Sequence, residues 1–172
     1  MNLTRGFRLG LLALILLCAV GCDQTSKHIA RTTLASGSVQ LPGGLGEFRL
    51  AENPGSFLSL GASLAEPMRT GFLIIAVGIG LALLCAYLLR SAHLTWMPFT
   101  ALALIWGGGT SNFIDRLTRK GQVTDFLFIR LGPLHTGVFN LADVLIMIGI
   151  AALAYELWRR QTDRATPVEA AE

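Results

Sequence analysis

Two carboxylates, Asp125 and Asp143, are the residues of this sequence best suited to catalysis. Two carboxyl groups that share one site cannot both ionise cheaply, so one proton is held between them. The ionised member can take a proton from water while the neutral member polarises a carbonyl, which is the chemistry of aspartyl peptide hydrolysis. Because such a pair titrates as a unit, the separate acid and base are not assigned.

Further polar residues lie at the ends of apolar runs or in the loops beside them: Asp23, Lys27, Asn53, Asn112, Asp115, Arg116 and Asn140. Asp23 and Lys27 are four positions apart, so they can pair on one face of a helix. The spacing of Asn112, Asp115 and Arg116 also places them on one helical face. We expect these polar stripes to converge with the carboxylate pair in one pocket.

Structural interpretations compete with the functional ones. A structural ion pair is favoured for Asp23 with Lys27, whereas Asp115 beside Arg116 suits an internal ion pair and a substrate contact equally well. Asp143 could cap a helix N-terminus, where the helix dipole stabilises it. An ionisable residue at the bilayer centre costs about 2.5–3.5 kcal/mol, and less near the interface, so Asp143 in an apolar helix favours function.

Four apolar runs approach the roughly 20 residues that a helix needs to cross a bilayer. They predict an all-α membrane protein with a single domain over 1–165, four transmembrane helices at about 7–25, 69–90, 93–112 and 138–158, and a flexible tail at 166–172. The ends of odd spans and the starts of even spans share one membrane face, where the polar residues therefore gather. Gly107–Gly109 permits close helix approach.

Two loops, at about 28–68 and 117–137, join these spans on the polar face. Residues 46–51 alternate in polarity and residues 56–60 suit a short strand, so a small sheet resting on the membrane surface is predicted. Gly132-Pro133 in the second loop is a turn signal.

Composition also points to a membrane protein. Of the 172 residues, 52% are hydrophobic and only 15% charged, against about 25% charged in soluble domains. The net charge is +3, but the basic residues are scattered singly, which argues against nucleic-acid binding. The cysteines and histidines lack ligand spacing, so no metal, other cofactor or disulfide framework is expected.

Arginine is denser in the terminal flanks and in the short turn after the second run than in the two long loops. Short basic flanks face the cytoplasm in most membrane proteins. This pattern favours cytoplasmic termini.

Five segments together resemble the lipoprotein signal peptidases, or signal peptidase II family, and they cover nearly all of the chain: Asp23–Lys27, Asn53–Gly55, Asn112–Leu117, Val123–Phe126 and Phe139–Asp143. The resemblance implies that Asp125 and Asp143 form the catalytic dyad. It further implies that another group of residues lines the site: Asn53, Asn112, Arg116 and Asn140. By the same resemblance, Asp23, Lys27 and Asp115 support it.

The resemblance also implies a four-span fold with a small extracytoplasmic β-cradle in the bacterial inner membrane, with cytoplasmic termini and the active site near the outer face. The expected substrate is a diacylglyceryl-modified prolipoprotein, cleaved just before its lipidated cysteine. The resemblance implies sensitivity to globomycin and no metal. We expect contacts with membrane lipids and a monomer.

Two positions depart from the family pattern. Ser111 stands where glycine is usual, which is expected to alter the packing of the third and fourth spans. Leu58 stands where an aromatic residue is usual, and this departure bears on the substrate contacts of the cradle.

Two other classes of function are weaker hypotheses. A transporter or channel needs polar residues through the depth of the membrane, and the middles of the second and fourth runs are apolar. A lipid-anchored protein processed before Cys22 is suggested by Arg5 and Arg8 ahead of an apolar core. Against it, Ala19 stands where such processing sites usually have leucine.

Overall fold

The computed structural model describes residues 4–54, 66–91 and 93–165. It contains four long helices and four short strands, which are α1 (Arg5–Thr33), β1 (Val39–Gln40), β2 (Gly46–Asn53), α2 (Glu66–Arg90), α3 (Trp96–Thr118), β3 (Val123–Leu131), β4 (Leu134–His135) and α4 (Leu141–Ala165). A single 3-10 turn, Pro42–Gly44, joins β1 to β2. The predicted strand at 56–60, Gly55 and Leu58 lie outside the described residues.

Three of these helices, α1, α2 and α4, are long and apolar enough to cross a membrane. The fourth, α3, carries Asn112, Asp115 and Arg116 in its last two turns. It packs against each of the other three helices. Its polar end is therefore positioned inside the bundle.

The glycine triplet in α3 allows this central position. A Cβ on Gly107 would lie 3.0 Å from Ala19 of α1, and one on Gly109 would lie 2.9 Å from Leu81 of α2. A Cβ on Gly108 would lie 2.6 Å from the carbonyl oxygen of Ala142 in α4. Successive residues point about 100° apart around a helix, so each glycine meets a different neighbour. The predicted close approach is confirmed.

The strands form one antiparallel sheet in the order β1-β2-β3-β4. β2 pairs with β3 so that Ala51 lies opposite Asp125 and Asn53 opposite Val123. The predicted strand at 46–51 is confirmed, as is the turn at Gly132-Pro133, where Gly132 adopts a φ of 61°. A small antiparallel sheet therefore accompanies the helices.

Several elements differ from the sequence prediction: α3 and α4 end later than predicted, at Thr118 and Ala165, and β1 and β4 were not predicted. Two further differences bear on the site. α1 continues to Thr33, through residues assigned to a loop, because Ala30 and the following Leu34 are buried against Phe126 of β3. β3 also lies in a predicted loop. Its first four residues are all buried, so it lacks the alternation by which a half-exposed strand is recognised.

Candidate active site

Asp125 lies near the start of β3, with only 2% of its surface exposed. Two side-chain amides donate to its carboxylate. Asn53 Nδ2, from the end of β2, lies 3.0 Å from Oδ2. Asn140 Nδ2, from the residue before α4, lies 2.6 Å from Oδ1. The strand pairing and the start of α4 thus hold this carboxylate from two sides.

Asp143 lies in the first turn of α4 and is half-buried. Its Oδ2 accepts from the backbone N–H of Asn140 at 3.2 Å, while its own N–H donates to Asn140 Oδ1 at 3.0 Å. This reciprocal pair is a capping box, so the capping interpretation is correct in geometry. The capping box does not use the other carboxylate oxygen of Asp143. This oxygen, Oδ1, accepts from Asn112 Nδ2 at 2.9 Å.

Two amides connect the carboxylates. Asn140 Nδ2 also donates to Asn112 Oδ1 at 3.1 Å, so Asn140 contacts Asp125 and Asn112, and Asn112 contacts Asp143. The structure therefore brings Asp125, Asp143, Asn112 and Asn140 into one hydrogen-bonded group, which joins α3, β3 and α4.

A buried ionic cluster lies behind this group. Lys27 Nζ is 2.6 Å from Asp23 Oδ2, 3.1 Å from Asp115 Oδ2 and 2.8 Å from Asn112 Oδ1. The Lys27 side chain is fully buried, as is that of Asp23. Asp23 Oδ1 accepts from the backbone N–H of Ala142 at 2.9 Å, so α1 also holds the start of α4.

The predicted Asp23–Lys27 ion pair is therefore present, and Asp115 pairs with Lys27 rather than with its neighbour Arg116. Arg116 is half-buried and donates to the backbone oxygen of Asn112 at 3.4 Å. Its guanidinium interacts electrostatically with Asp143 and Asp125. With the exposed Asn53, it borders the carboxylates.

Burial changes the acidity of Asp125. Its pKa is raised to about 6, chiefly because burial disfavours the charged carboxylate, and additionally because of the negative charge of Asp143. The hydrogen bonds from Asn53 and Asn140 oppose this rise by stabilising the ionised form. A carboxyl group with this pKa holds its proton in about a tenth of the molecules at pH 7, against about one in a thousand for an ordinary aspartate, and a proton-sharing pair needs such a raised pKa.

Three buried or half-buried residues join the site without having been predicted in it. Thr124 donates its N–H to Asp115 Oδ2 at 3.1 Å, and Gln24 Nε2 donates to Asp115 Oδ1 at 3.0 Å. Ser111 Oγ donates to Asp23 Oδ2 at 2.7 Å. Ser111 thus joins α1 to α3, while its expected effect on the packing of the third and fourth spans stays a prediction. In the sequence, Gln24 and Thr124 stand directly beside predicted site residues, and this adjacency is the signal that could have identified them.

Within the described ranges, no three His, Cys, Asp or Glu side chains are grouped to hold a metal ion. The side chains that the site presents are carboxylates, amides and a guanidinium. These groups can share a proton, orient a water molecule and hydrogen-bond a peptide backbone.

Three helices long and apolar enough to cross a membrane, with buried carboxylates at one end of their bundle, indicate a multi-pass membrane protein. Residues 15–159 match the family model of signal peptidase (SPase) II. The chain belongs to this family.

Sequence relatives agree with this assignment. A lipoprotein signal peptidase of Paraburkholderia phymatum is 38% identical over 138 residues, which cover 80% of this chain and 81% of the relative. One of Sulfurihydrogenibium sp. is 34% identical over 142 residues, covering 81% and 86%.

Solved structures of bacterial membrane enzymes share the fold. One superposes with a TM-score of 0.77 over 95% of both chains, at 24% sequence identity. A second gives a TM-score of 0.72 at 26% identity, covering 86% of this chain and 92% of the other. The arrangement of helices and sheet is therefore that of known membrane enzymes.

Proposed function

We propose that Asp125 and Asp143 are the catalytic pair with which this chain cleaves signal peptides from prolipoproteins. Membership of the signal peptidase II family makes the chain an endopeptidase of prolipoprotein processing. The observation that carries the assignment of the pair is the amide connection from Asp125 through Asn140 and Asn112 to Asp143. It holds two carboxylates from different elements at one site.

In the proposed reaction, one carboxylate is ionised and the other protonated. The ionised member removes a proton from a water molecule, whose oxygen attacks the scissile carbonyl carbon, while the protonated member donates to the carbonyl oxygen. Collapse of the tetrahedral intermediate breaks the C–N bond, and the amine leaves with a proton from the pair. Asn112 and Asn140 hold the carboxylates in place, which lowers the entropic part of the barrier.

Two further groups are proposed to meet the substrate. Asn53 is exposed at the end of β2 and Arg116 is half-buried beside the pair, so both can hydrogen-bond an extended peptide backbone. Asp23, Lys27 and Asp115 are buried and act behind the site. The sheet is then the cradle against which the peptide rests, with its edge available for backbone pairing.

The proposed membrane arrangement has four spans, with α3 as the span enclosed by the others. Both termini lie in the cytoplasm, and the carboxylate pair lies near the outer face of the inner membrane. A diacylglyceryl-modified prolipoprotein would keep its acyl chains in the bilayer while the bond before the lipidated cysteine reaches the pair. We expect a monomer that globomycin inhibits.

We propose that residues 1–165 form a single domain. Processing before Cys22, as a lipoprotein would require, would cut α1 in its middle and detach Ala19, which faces Gly107 of α3. The contact between Ala19 and Gly107 therefore weighs against the lipid-anchored alternative.

The test is cleavage of purified diacylglyceryl-prolipoprotein in detergent or liposomes, with and without globomycin. Asp125→Asn and Asp143→Asn should each abolish cleavage while membrane insertion and the unfolding midpoint remain close to those of wild type. Asp163→Asn, at an exposed position late in α4, is the matched control and should keep full activity. Retained cleavage by either dyad variant would overturn the proposed pair.

A further inference from the structure

The ammonium of Lys27 has as many acceptors as it has hydrogens. Its three N–H groups face Asp23 Oδ2 at 2.6 Å, Asp115 Oδ2 at 3.1 Å and Asn112 Oδ1 at 2.8 Å. All four residues are buried. Water therefore has little access to replace any of these contacts, and the position of the ammonium is closely defined.

This ammonium decides which way the amide of Asn112 points. An amide presents an acceptor oxygen on one side and a donor NH2 on the other, and an ammonium only donates. Asn112 Oδ1 must therefore face Lys27, which directs Nδ2 to Asp143 Oδ1 at 2.9 Å. In the reverse orientation, the amide N–H groups of Asn112 would face the ammonium of Lys27, and the amide oxygen would face the carboxylate of Asp143.

The same oxygen also contacts the second amide. Asn112 Oδ1 accepts from Asn140 Nδ2 at 3.1 Å, and Asn140 Nδ2 reaches Asp125 Oδ1 at 2.6 Å. Asn140 Oδ1 accepts from the backbone N–H of Asp143 at 3.0 Å, so the helix cap orients Asn140, whereas the buried charge of Lys27 orients Asn112.

We infer that Lys27 is a positioning residue that acts through Asn112, setting the orientation of the amide that donates to Asp143 and accepts from Asn140. The inference rests on the proposed function. Stability alone is a weak reason for the cluster, because buried ion pairs can be replaced by apolar residues at little cost when all partners are replaced together. Orientation of Asn112, in contrast, needs a donor at this point.

The test separates orientation from charge balance. The wild-type cluster has one positive charge, on Lys27, and two negative charges, on Asp23 and Asp115. The double variant Lys27→Met/Asp23→Asn retains the same net charge of one negative. Asn at position 23 can still accept from the N–H of Ala142 and can donate to the hydroxyl of Ser111, whereas Lys27→Met alone leaves both carboxylates without the ammonium.

The double variant should recover the unfolding midpoint that Lys27→Met loses. Its kcat on diacylglyceryl-prolipoprotein should nevertheless remain about 100-fold below wild type, the order that a small misplacement of catalytic groups costs. KM should stay within about twofold, because Lys27 is buried away from the substrate. Recovery of kcat together with the midpoint would show that Lys27 only balances charge and would overturn the inference.

A second variant decides the matter if the double variant does not fold. Asn112→Asp keeps an acceptor for Lys27 and for Asn140, but it replaces the N–H that Asp143 receives with a carboxylate oxygen and adds one negative charge to the cluster. We expect a folded protein with kcat reduced about 100-fold; a wild-type kcat would again overturn the inference. Failure of wild-type protein to cleave prolipoprotein would refute the proposed function instead, so the two failures are distinguishable.

Discussion

Asn140 Nδ2 donates to Asp125 Oδ1 at 2.6 Å from the residue that caps α4. One side chain thus begins the helix that carries Asp143 and contacts the carboxylate of Asp125. Because Asn140 is fully buried, this contact persists without competition from water. The folding of α4 and the assembly of the carboxylate pair are therefore coupled.

Replacing Asn140 by alanine tests this coupling. Asn140→Ala removes the cap and the donor to Asp125, so we expect a loss of about 1 kcal/mol in the free energy of unfolding from the cap and a kcat lower by about 100-fold. Denaturant unfolding and steady-state cleavage of prolipoprotein measure the two effects.

The matched control is Thr4→Ala, which removes the cap of α1, where the Thr4 side chain accepts from the N–H of Phe7. It should lower stability by a similar amount and leave kcat unchanged. Equal kcat in the two variants would contradict a role for Asn140 beyond capping.

The pH dependence of cleavage follows from the pKa of Asp125, which is raised to about 6. As the pH rises through this value, Asp125 loses its proton, and the pair loses the proton that the proposed reaction requires. We therefore expect kcat/KM to fall on the alkaline side with a midpoint near this pKa, measured with substrate well below KM.

Asn53→Ala should move the alkaline limb of the kcat/KM profile, which is its fall at high pH, to higher pH. The amide of Asn53 donates to the ionised carboxylate of Asp125 and lowers its pKa. Removing the donor raises the pKa, so the proton is kept to a higher pH. Gln122→Ala, at an exposed position before β3, is the control and should leave the limb in place. A limb displaced to lower pH in Asn53→Ala would contradict this electrostatic account.

Ser111 offers a test of the hydrogen bonds that join α1 to α3. Its hydroxyl is buried, donates to Asp23 Oδ2 at 2.7 Å and accepts from Gln24 Nε2 at 3.1 Å. A hydrogen bond to a charged group contributes about 1.5–3 kcal/mol, so Ser111→Ala should lower the free energy of unfolding by that order.

Thr118→Val is the comparison, because the exposed hydroxyl of Thr118 donates only to carbonyl oxygens of its own helix. This variant should stay within about 0.5 kcal/mol of wild type. If both substitutions have the same small effect, the Ser111–Asp23 hydrogen bond contributes nothing measurable to the free energy of unfolding.

Local spacing predicted those contacts that lie within one element. Asp23 and Lys27 pair because they are four residues apart on α1, and Asn140 with Asp143 forms a capping box within one turn. The glycines of α3 also stand out by type, since only a residue without a side chain allows such close approach. These features need little knowledge of the rest of the fold.

Contacts between elements were less accessible to sequence reasoning. The pairing of Asp115 with Lys27 depends on how α1 and α3 are rotated, and its competitor Arg116 was nearer in sequence. The sequence predicts a loop where β3 lies, because the first residues of β3 are buried on both faces and show no alternation. The direction of each amide depends on partners from three elements, which no spacing rule contains.

The contact between α3 and α4 gives the last prediction. A Cβ on Gly108 would lie 2.6 Å from the carbonyl oxygen of Ala142 and 2.9 Å from Ile146 Cγ1. Gly108→Ala must therefore displace the first turn of α4, which carries Asp143. Overpacking of this kind costs about 1–3 kcal/mol, and a displacement of 1 Å at a catalytic group can cost about 100-fold in rate. We expect both losses, by unfolding and cleavage assays.

Gly80→Ala provides the control within the same bundle. Gly80 lies in α2, and a Cβ there would meet nothing within 4 Å. Since alanine is favoured over glycine in a helix by about 0.5–1 kcal/mol, this variant should be as stable as wild type or slightly more so, with unchanged kcat. If Gly108→Ala kept wild-type kcat despite its stability loss, Asp143 would not depend on the α3–α4 contact for its position. The carboxylates would then be held by the Asn112 and Asn140 amides alone.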